Sequence, residues 1–300
     1  MTTLTNGGST PPDLSGRNLS LRRSIADRGA TLGIALCVLV AALPLALVAW
    51  QVISRGASTW SLGWFIEEIP RNYRTAGPGM GPAIVGTLAI TGMAALLSIP
   101  VGVLGAVYLN EYGKNKPLAR FIRTMADVMT GVPSIMMGLF IYVGYVTVID
   151  DRTGFAGALA LACLMLPIVI RSTEEMLRLV PDELRQASSG LGARKWRTTL
   201  GVVLPAASSG ITSGSLLAIA RAAGETAPII VTVGLTYIYK PDLFDGANTT
   251  LAAQIFRNAS QPFAASQDRA WGAALTLITI VFLFTILSRI IAARFAIDKR

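Results

Sequence analysis

The chain has 300 residues, 52% hydrophobic and only 14% charged, with a mean hydropathy of +0.56 and a formal net charge of +9. A soluble domain of this length carries about 25% charged residues, so the composition excludes an ordinary soluble protein and points to an integral membrane protein. It contains no histidine, which excludes His-based proton relays, His metal sites and a Ser-His-Asp triad within the chain.

A spanning segment must satisfy its own backbone hydrogen bonds, so the apolar blocks are expected to be helices. The basic excess reads as membrane topology rather than nucleic-acid binding. Cys37 and Cys163 both lie in apolar blocks and read as packing residues rather than a disulfide or a metal site.

Residues 1–30 are rich in Thr, Ser, Gly, Pro and Arg. With no apolar h-region before the first block, they are expected to form a mobile cytoplasmic tail and not a cleaved signal peptide. Six apolar blocks follow, each long enough to cross a bilayer: Thr31–Ile53, Pro82–Leu109, Met125–Ile149, Phe155–Met176, Ala206–Tyr237 and Trp271–Ala293. The predicted organisation is a first span with its outer loop at 31–81, a transmembrane core at 82–293, and a cytoplasmic C-terminal end at 294–300. Of the 26 basic residues, 17 fall in the tail, the even-numbered loops and the C-terminal end, so both termini are predicted to be cytoplasmic. In the long loop after the fifth block, Thr250 to Asn258 is expected to form a short interfacial helix with Thr249 or Thr250 as N-cap.

The basic loop from Val180 to Leu204 has the pattern of a docking segment. Pro181 and Asp182 mark a helix start, and a second short helix is expected after Leu191-Gly192. Leu184, Ala187 and Leu191 share one face by their spacing. A small apolar knob ringed by arginines fits a cleft on another protein. A surface loop that only enforces topology and binds lipid headgroups would leave the same trace.

Arg221 and Glu225 are four residues apart, which puts them on one face of the fifth span. A bare charge at mid-bilayer costs about 3 to well over 10 kcal/mol, and pairing reduces that cost. The pair reads either as a structural lock or as an anion stop in a water-lined pathway. Guanidinium suits phosphate because its planar fork grips two oxygens at once. Arg171 lies near the inner end of the fourth block and serves transport or only snorkels to the interface. Gly210, Gly214, Ala218 and Ala222 form a small-residue ridge suited to close helix packing. Gly224 and Pro228 are placed to kink the fifth span beside the charged pair.

Gln186-Ala-Ser188, Gly192 and Val202-Val-Leu204-Pro205 resemble the EAA loop of ABC importer permeases, E-A-A-x3-G-x9-I-x-L-P. The spacing agrees throughout, with Gln186 for Glu, Ser188 for Ala and Val202 for Ile. Ala83-Ile-Val-Gly-Thr-Leu88, Ile99-Pro-Val-Gly-Val-Leu-Gly-Ala106, Tyr108-Leu-Asn-Glu-Tyr112, Pro133-Ser-Ile135, Leu166-Pro-Ile-Val-Ile-Arg171 and Ile219-Ala-Arg221-Ala-Ala-Gly-Glu225-Thr-Ala-Pro228 are similar to the phosphate importer permeases of the PstA family. The resemblance runs from about Pro82 to the C-terminus. It implies an all-α type I ABC importer transmembrane domain of six transmembrane helices in the bacterial inner membrane.

The resemblance also implies that the 186–205 segment, through Gln186, Ala187, Ser188, Leu191, Gly192, Val202, Leu204 and Pro205, is the coupling helix that enters the ATP-binding subunit. It implies transport roles for Arg171, Arg221 and Glu225. The implied partners are a PstC-like second permease, a PstB-like ATPase dimer that binds ATP and Mg, a PstS-like binding protein, inorganic phosphate and membrane lipid. The chain itself has no G-x-x-x-x-G-K-[ST] segment, so a P-loop for ATP is not expected in it. The expected function is a non-enzymatic permease subunit working by alternating access. Another oxyanion (sulfate, molybdate, phosphonate) or a stand-alone carrier or channel remain as alternatives.

Overall fold

The structure is a computed structural model that describes residues 21–75, 77, 79–114 and 116–295. Most of the predicted 1–30 tail and residues 296–300 of the predicted C-terminal end lie outside these. The described residues form thirteen helices: α1 (Leu21–Gly56), α2 (Leu62–Ile66), α3 (Gly81–Val107), α4 (Pro117–Gly131), α5 (Ser134–Ile141), α6 (Thr147–Ile149), α7 (Gly154–Arg178), α8 (Asp182–Gly190), α9 (Lys195–Thr198), α10 (Leu204–Ala223), α11 (Ala227–Thr232), α12 (Leu251–Ala259) and α13 (Ala264–Phe295). Five are, or belong to, helical stretches long and apolar enough to cross a membrane, and the bent pair Pro117–Gly131 with Ser134–Ile149 makes a sixth span when taken as one. The chain divides into two compact units between Gln51 and Val52, within α1.

In the second unit α3 and α7 pack along each other, and α10 lies between α7 and α13. Small residues permit the close approach. A Cβ added at Gly102 of α3 would lie 2.7 Å from Val169 Cγ1 of α7. The ridge on α10 meets α7 in the same way: a Cβ at Gly210 would collide with Met176, and one at Gly214 would lie 2.6 Å from Ser172 Oγ. Ala218 and Ala222 continue the ridge into the central apolar cluster with Ile90, Met165, Val169 and Ile229. The ridge therefore packs the bundle.

Two of the predicted blocks are broken. The Met125–Ile149 block is read from hydropathy as one span, but α4 and α5 meet at 107°. Pro133 explains the break. It has no N–H for a helical bond, and its ring disfavours the helical region for the preceding residue, so Val132 takes φ −75°, ψ 132°. The Ala206–Tyr237 block likewise ends early, at Ala223. A continuous helix would require Pro228 to donate to the Gly224 carbonyl, which proline cannot do. The chain instead restarts as α11, with Pro228 in its first turn, where that loss costs nothing. It then reverses at Gly234, whose φ of +76° favours glycine.

The predicted short helix in the following loop is α12. Its N-cap is Thr250, whose Oγ1 accepts from the Ala253 N–H at 3.2 Å. α12 is tied to α3 by the Leu251 N–H, which donates to Thr87 Oγ1 at 2.8 Å.

Candidate translocation site and docking loop

The breaks in the third and fifth spans face each other. Met129, Thr130, Val132, Pro133 and Ser134 line one side of a cavity of about 280 Å³, and Arg221 and Glu225 line another. Leu164, Pro167 and Ile168, near the middle of α7, close it. α5 and α11 meet tightly beside it: a Cβ at Gly138 would lie 2.6 Å from the Pro228 Cα.

Within the cavity Arg221 Nε lies 3.8 Å from Glu225 Oε1, with the arginine side chain 68% exposed and the glutamate 20%. The two do pair, but not on one continuous helical face. Arg221 is in the last turn of α10 and Glu225 follows the Gly224 cap, in the break itself. The contact is loose, so the guanidinium keeps donors for another anion. Arg221 lies in a helical stretch long and apolar enough to cross a membrane, where an open guanidinium against lipid tails is costly.

Arg171 lies outside this lining. It forms an ion pair with Asp127 of α4, three residues beyond Ile168 on α7, or about 4.5 Å along the axis toward the docking loop. Of the three predicted pathway residues, the structure brings Arg221 and Glu225 together and places Arg171 in a neighbouring layer. Asp127 was not anticipated. Its signal was in the sequence, since it is the one acidic residue inside the Met125–Ile149 block.

The 180–204 loop, expected to dock, is two short helices joined at a glycine. α8 ends in a Schellman motif: the Ala193 N–H reaches the Ser188 carbonyl at 3.2 Å and the Gly192 N–H the Ser189 carbonyl at 3.0 Å. Gly192 holds φ +82°, which accounts for glycine at that position of the motif. Ser188 Oγ and Thr198 Oγ1, 2.9 Å apart, clamp α8 to α9. Leu191 is 90% exposed, and Leu184 and Trp196 project beside it. Gln186 and Ala187 are exposed. At the far end Val202 is half-buried, Leu204 packs with Leu177, Val180 and Val203, and Pro205 is exposed.

A family profile described as "Binding-protein-dependent transport system inner membrane component" matches residues 98–297. Over 291 residues the chain is 43% identical to "Phosphate transport system permease protein PstA 1" of Mycobacterium tuberculosis (strain CDC 1551 / Oshkosh), covering 95% of this chain and 93% of that one. The chain belongs to the PstA family of binding-protein-dependent inner membrane transport components. A second PstA relative, "Phosphate transport system permease protein PstA" of Yersinia pestis, is 40% identical over 247 residues, covering 82% of this chain and 83% of that one. The fold likewise superposes on a chain of a bacterial ABC transporter involved in the import of the acidic polysaccharide alginate, with a TM-score of 0.60 over 93% of this chain and 98% of that one at 15% identity. The architecture is that of a multi-pass ABC importer permease.

The structure of this PstA-family chain adds residues that sequence reasoning left among topology charges. Arg185 of α8 reaches into the bundle. Its Nη2 donates to Glu111 Oε1 at 2.9 Å and to the Leu177 carbonyl at 2.8 Å, and its Nη1 donates to the Val180 carbonyl at 2.6 Å. Glu111 is buried and also accepts from Asn110 Nδ2 at 2.8 Å. It lies in a wide i→i+5 turn, Tyr108–Tyr112, that ends the second span.

A second buried carboxylate, Glu174 of α7, accepts from Arg123 at 2.8 Å and from Arg178 at 2.6 Å. Arg123 also donates to the Leu109 carbonyl at 2.9 Å. The docking helix, the end of the second span, the start of the third and the end of the fourth are thus joined by two buried carboxylates. Glu111 appeared in the sequence only within a family motif, and Glu174 only as an acid inside an apolar block. The long sequence separations from Arg185 and Arg123 hid their pairing.

Proposed function

We propose that the chain is one of two membrane-embedded halves of an ATP-driven importer of inorganic phosphate, and that Arg221, held by Glu225, is the anion stop of its pathway. The observation that carries this reading is the open guanidinium in a polar cavity between two broken helices. Guanidinium binds tetrahedral oxyanions through paired N–H groups. The loose pairing with Glu225 fits a site that must also let go, because the carboxylate competes for the same donors once the anion moves on. Arg171, relieved of Asp127, would serve as the next stop toward the cytoplasm. The names of the PstA relatives support phosphate as the anion.

The partners in this reading are a PstC-like second permease, a PstS-like binding protein and a PstB-like ATPase dimer that binds ATP and Mg and does the hydrolysis. Both termini and the docking loop face the cytoplasm of a bacterial cell, as the distribution of Lys and Arg supports. Closure of the ATPase dimer pulls on the knob built around Leu191. Arg185 passes that pull to Glu111 and the second span, while Leu204 and Pro205 carry it into α10, whose far end holds Arg221. The pathway opens outward, receives phosphate and returns to the cytoplasmic side when the dimer reopens.

The test is ATP-dependent uptake of labelled phosphate by vesicles containing the assembled transporter, with unlabelled sulfate, molybdate and phosphonate as competitors. The reading predicts ATP-dependent accumulation that excess phosphate suppresses and the others do not. Suppression by sulfate alone would assign another oxyanion, and accumulation by vesicles holding only this chain would overturn the partner requirement.

A further inference from the structure

A second cavity, of about 360 Å³, lies at the other end of the bundle from the 180–204 loop. Its lining includes Arg152, in the turn that leads into α7, and Arg257 of α12, whereas the docking loop follows the opposite end of α7. Two lining residues are charged and both are cations; Ser260 and Gln261 add neutral polar groups. Among the described residues neither guanidinium has a carboxylate within ion-pair distance.

Both side chains are nonetheless held in place. Arg257 Nε donates to Tyr73 Oη at 2.8 Å, and Tyr73 is itself 3.0 Å from Tyr237 Oη. The bond to Tyr73 raises the pKa of Arg257 above its ordinary value. Arg152 lies over the Tyr142 ring, 5.6 Å from its centroid.

On and just after α11, Ala227, Ile230, Val231 and Gly234 are partly exposed while Pro228, Ile229, Thr232 and Val233 are buried. Ala227, Ile230 and Val231 share one face of α11, and Gly234 follows its end. This exposed run begins beside Glu225 and ends at Ile230 and Gly234, which line the second cavity. α11 itself, six residues at helical rise, spans about 9 Å.

We propose that the cavity of Arg152 and Arg257 is a second anion site, an outer waiting position that the oxyanion occupies before it reaches Arg221. Two fixed cations with no carboxylate of their own raise the local anion concentration and supply two forks for a tetrahedral oxyanion. The identity of the anion, the outward placement and the order in which it visits the two sites rest on the proposed function; the site itself rests on the cation pair.

The test uses the complete transporter in lipid nanodiscs, with labelled inorganic phosphate at equilibrium. In an Arg221→Gln background, binding should persist at the outer site. Adding Arg152→Gln and Arg257→Gln should weaken that binding by at least about tenfold, Arg257→Lys should retain part of it, and the affinity for the loaded binding protein should stay unchanged. Loss of all phosphate binding in Arg221→Gln alone, or binding indifferent to the two further substitutions, would overturn the proposal. So would a drop in binding-protein affinity with phosphate binding intact, which would make these arginines a docking patch. A wild-type transporter that binds sulfate but not phosphate would sink the phosphate reading, and the same variants would then judge the outer site with sulfate.

Discussion

The pair of Arg185 and Glu111 offers a prediction whose size follows from its geometry. The side chains are 16% and 6% exposed, so solvent screens them little. Removing one partner of a buried pair costs about 3–5 kcal/mol, because the other charge is left in low dielectric. Arg185→Met leaves Glu111 with Asn110 alone and should cost close to that range. Glu111→Gln is milder. The amide still offers an acceptor near Nη2, and the guanidinium keeps the Leu177 and Val180 carbonyls and Asp182. What disappears is the charge assistance of one contact at 2.9 Å and a weaker one at 3.3 Å, worth about 1–2 kcal/mol from the gap between charged and neutral hydrogen bonds.

The assay is thermal unfolding of the assembled transporter in nanodiscs, run beside the ratio of phosphate moved to ATP hydrolysed. Arg185→Met should lower the unfolding midpoint clearly more than Glu111→Gln. Both should lower the transport ratio more than the hydrolysis rate, since the docking helix would still meet the ATPase but no longer pull the second span. Equal and negligible shifts for the two variants, with an unchanged transport ratio, would refute the argument that this pair carries the load.

Gly192→Ala meets no atom within 4 Å, so its cost is the left-handed backbone alone, about 1–2 kcal/mol; titration of the ATPase subunit should show docking weakened by roughly 5–30-fold, and unaltered docking would contradict the Schellman account. Gly138→Leu should separate α5 from α11 at the Pro228 contact and abolish uptake even in the assembled fraction recovered by size exclusion. Arg171→Gln removes a pair whose members are 37% and 52% exposed, worth at most about 1 kcal/mol. It should therefore leave the unfolding midpoint nearly unchanged while uptake falls at least about tenfold, a split that a merely structural arginine would not give. Thr250→Ala should cost α12 about 1 kcal/mol through its lost N-cap bond, measurable as faster amide exchange over 251–259.

The membrane fold was legible in the sequence because block length and hydropathy report directly on bilayer crossing. The two-helix docking loop was legible because Pro181, Gly192 and the apolar spacing of Leu184, Ala187 and Leu191 are local signals. The break at Pro133 was not read, since hydropathy runs unbroken through Met125–Ile149 and does not register a missing N–H. The kink expected beside Gly224 and Pro228 proved to be a full break, which moves Glu225 out of the helix and into the cavity. The charge pairs were hidden for another reason. Asp127 with Arg171 and Glu174 with Arg123 are joined only by packing of α4 on α7, and Glu111 with Arg185 by packing of α8 against the turn after α3; no period in the sequence brings them together. The three wide turns, Tyr108–Tyr112, Tyr142–Val146 and Thr199–Val203, leave no local signature either.

The most direct test of the pathway is Arg221→Gln, measured as ATP-dependent phosphate accumulation by vesicles that carry equal amounts of assembled transporter. The guanidinium in the cavity between the two helix breaks predicts a loss of at least about a hundredfold, the scale of removing a bidentate charged contact, with partial recovery in Arg221→Lys. Accumulation at the wild-type rate in Arg221→Gln would contradict it.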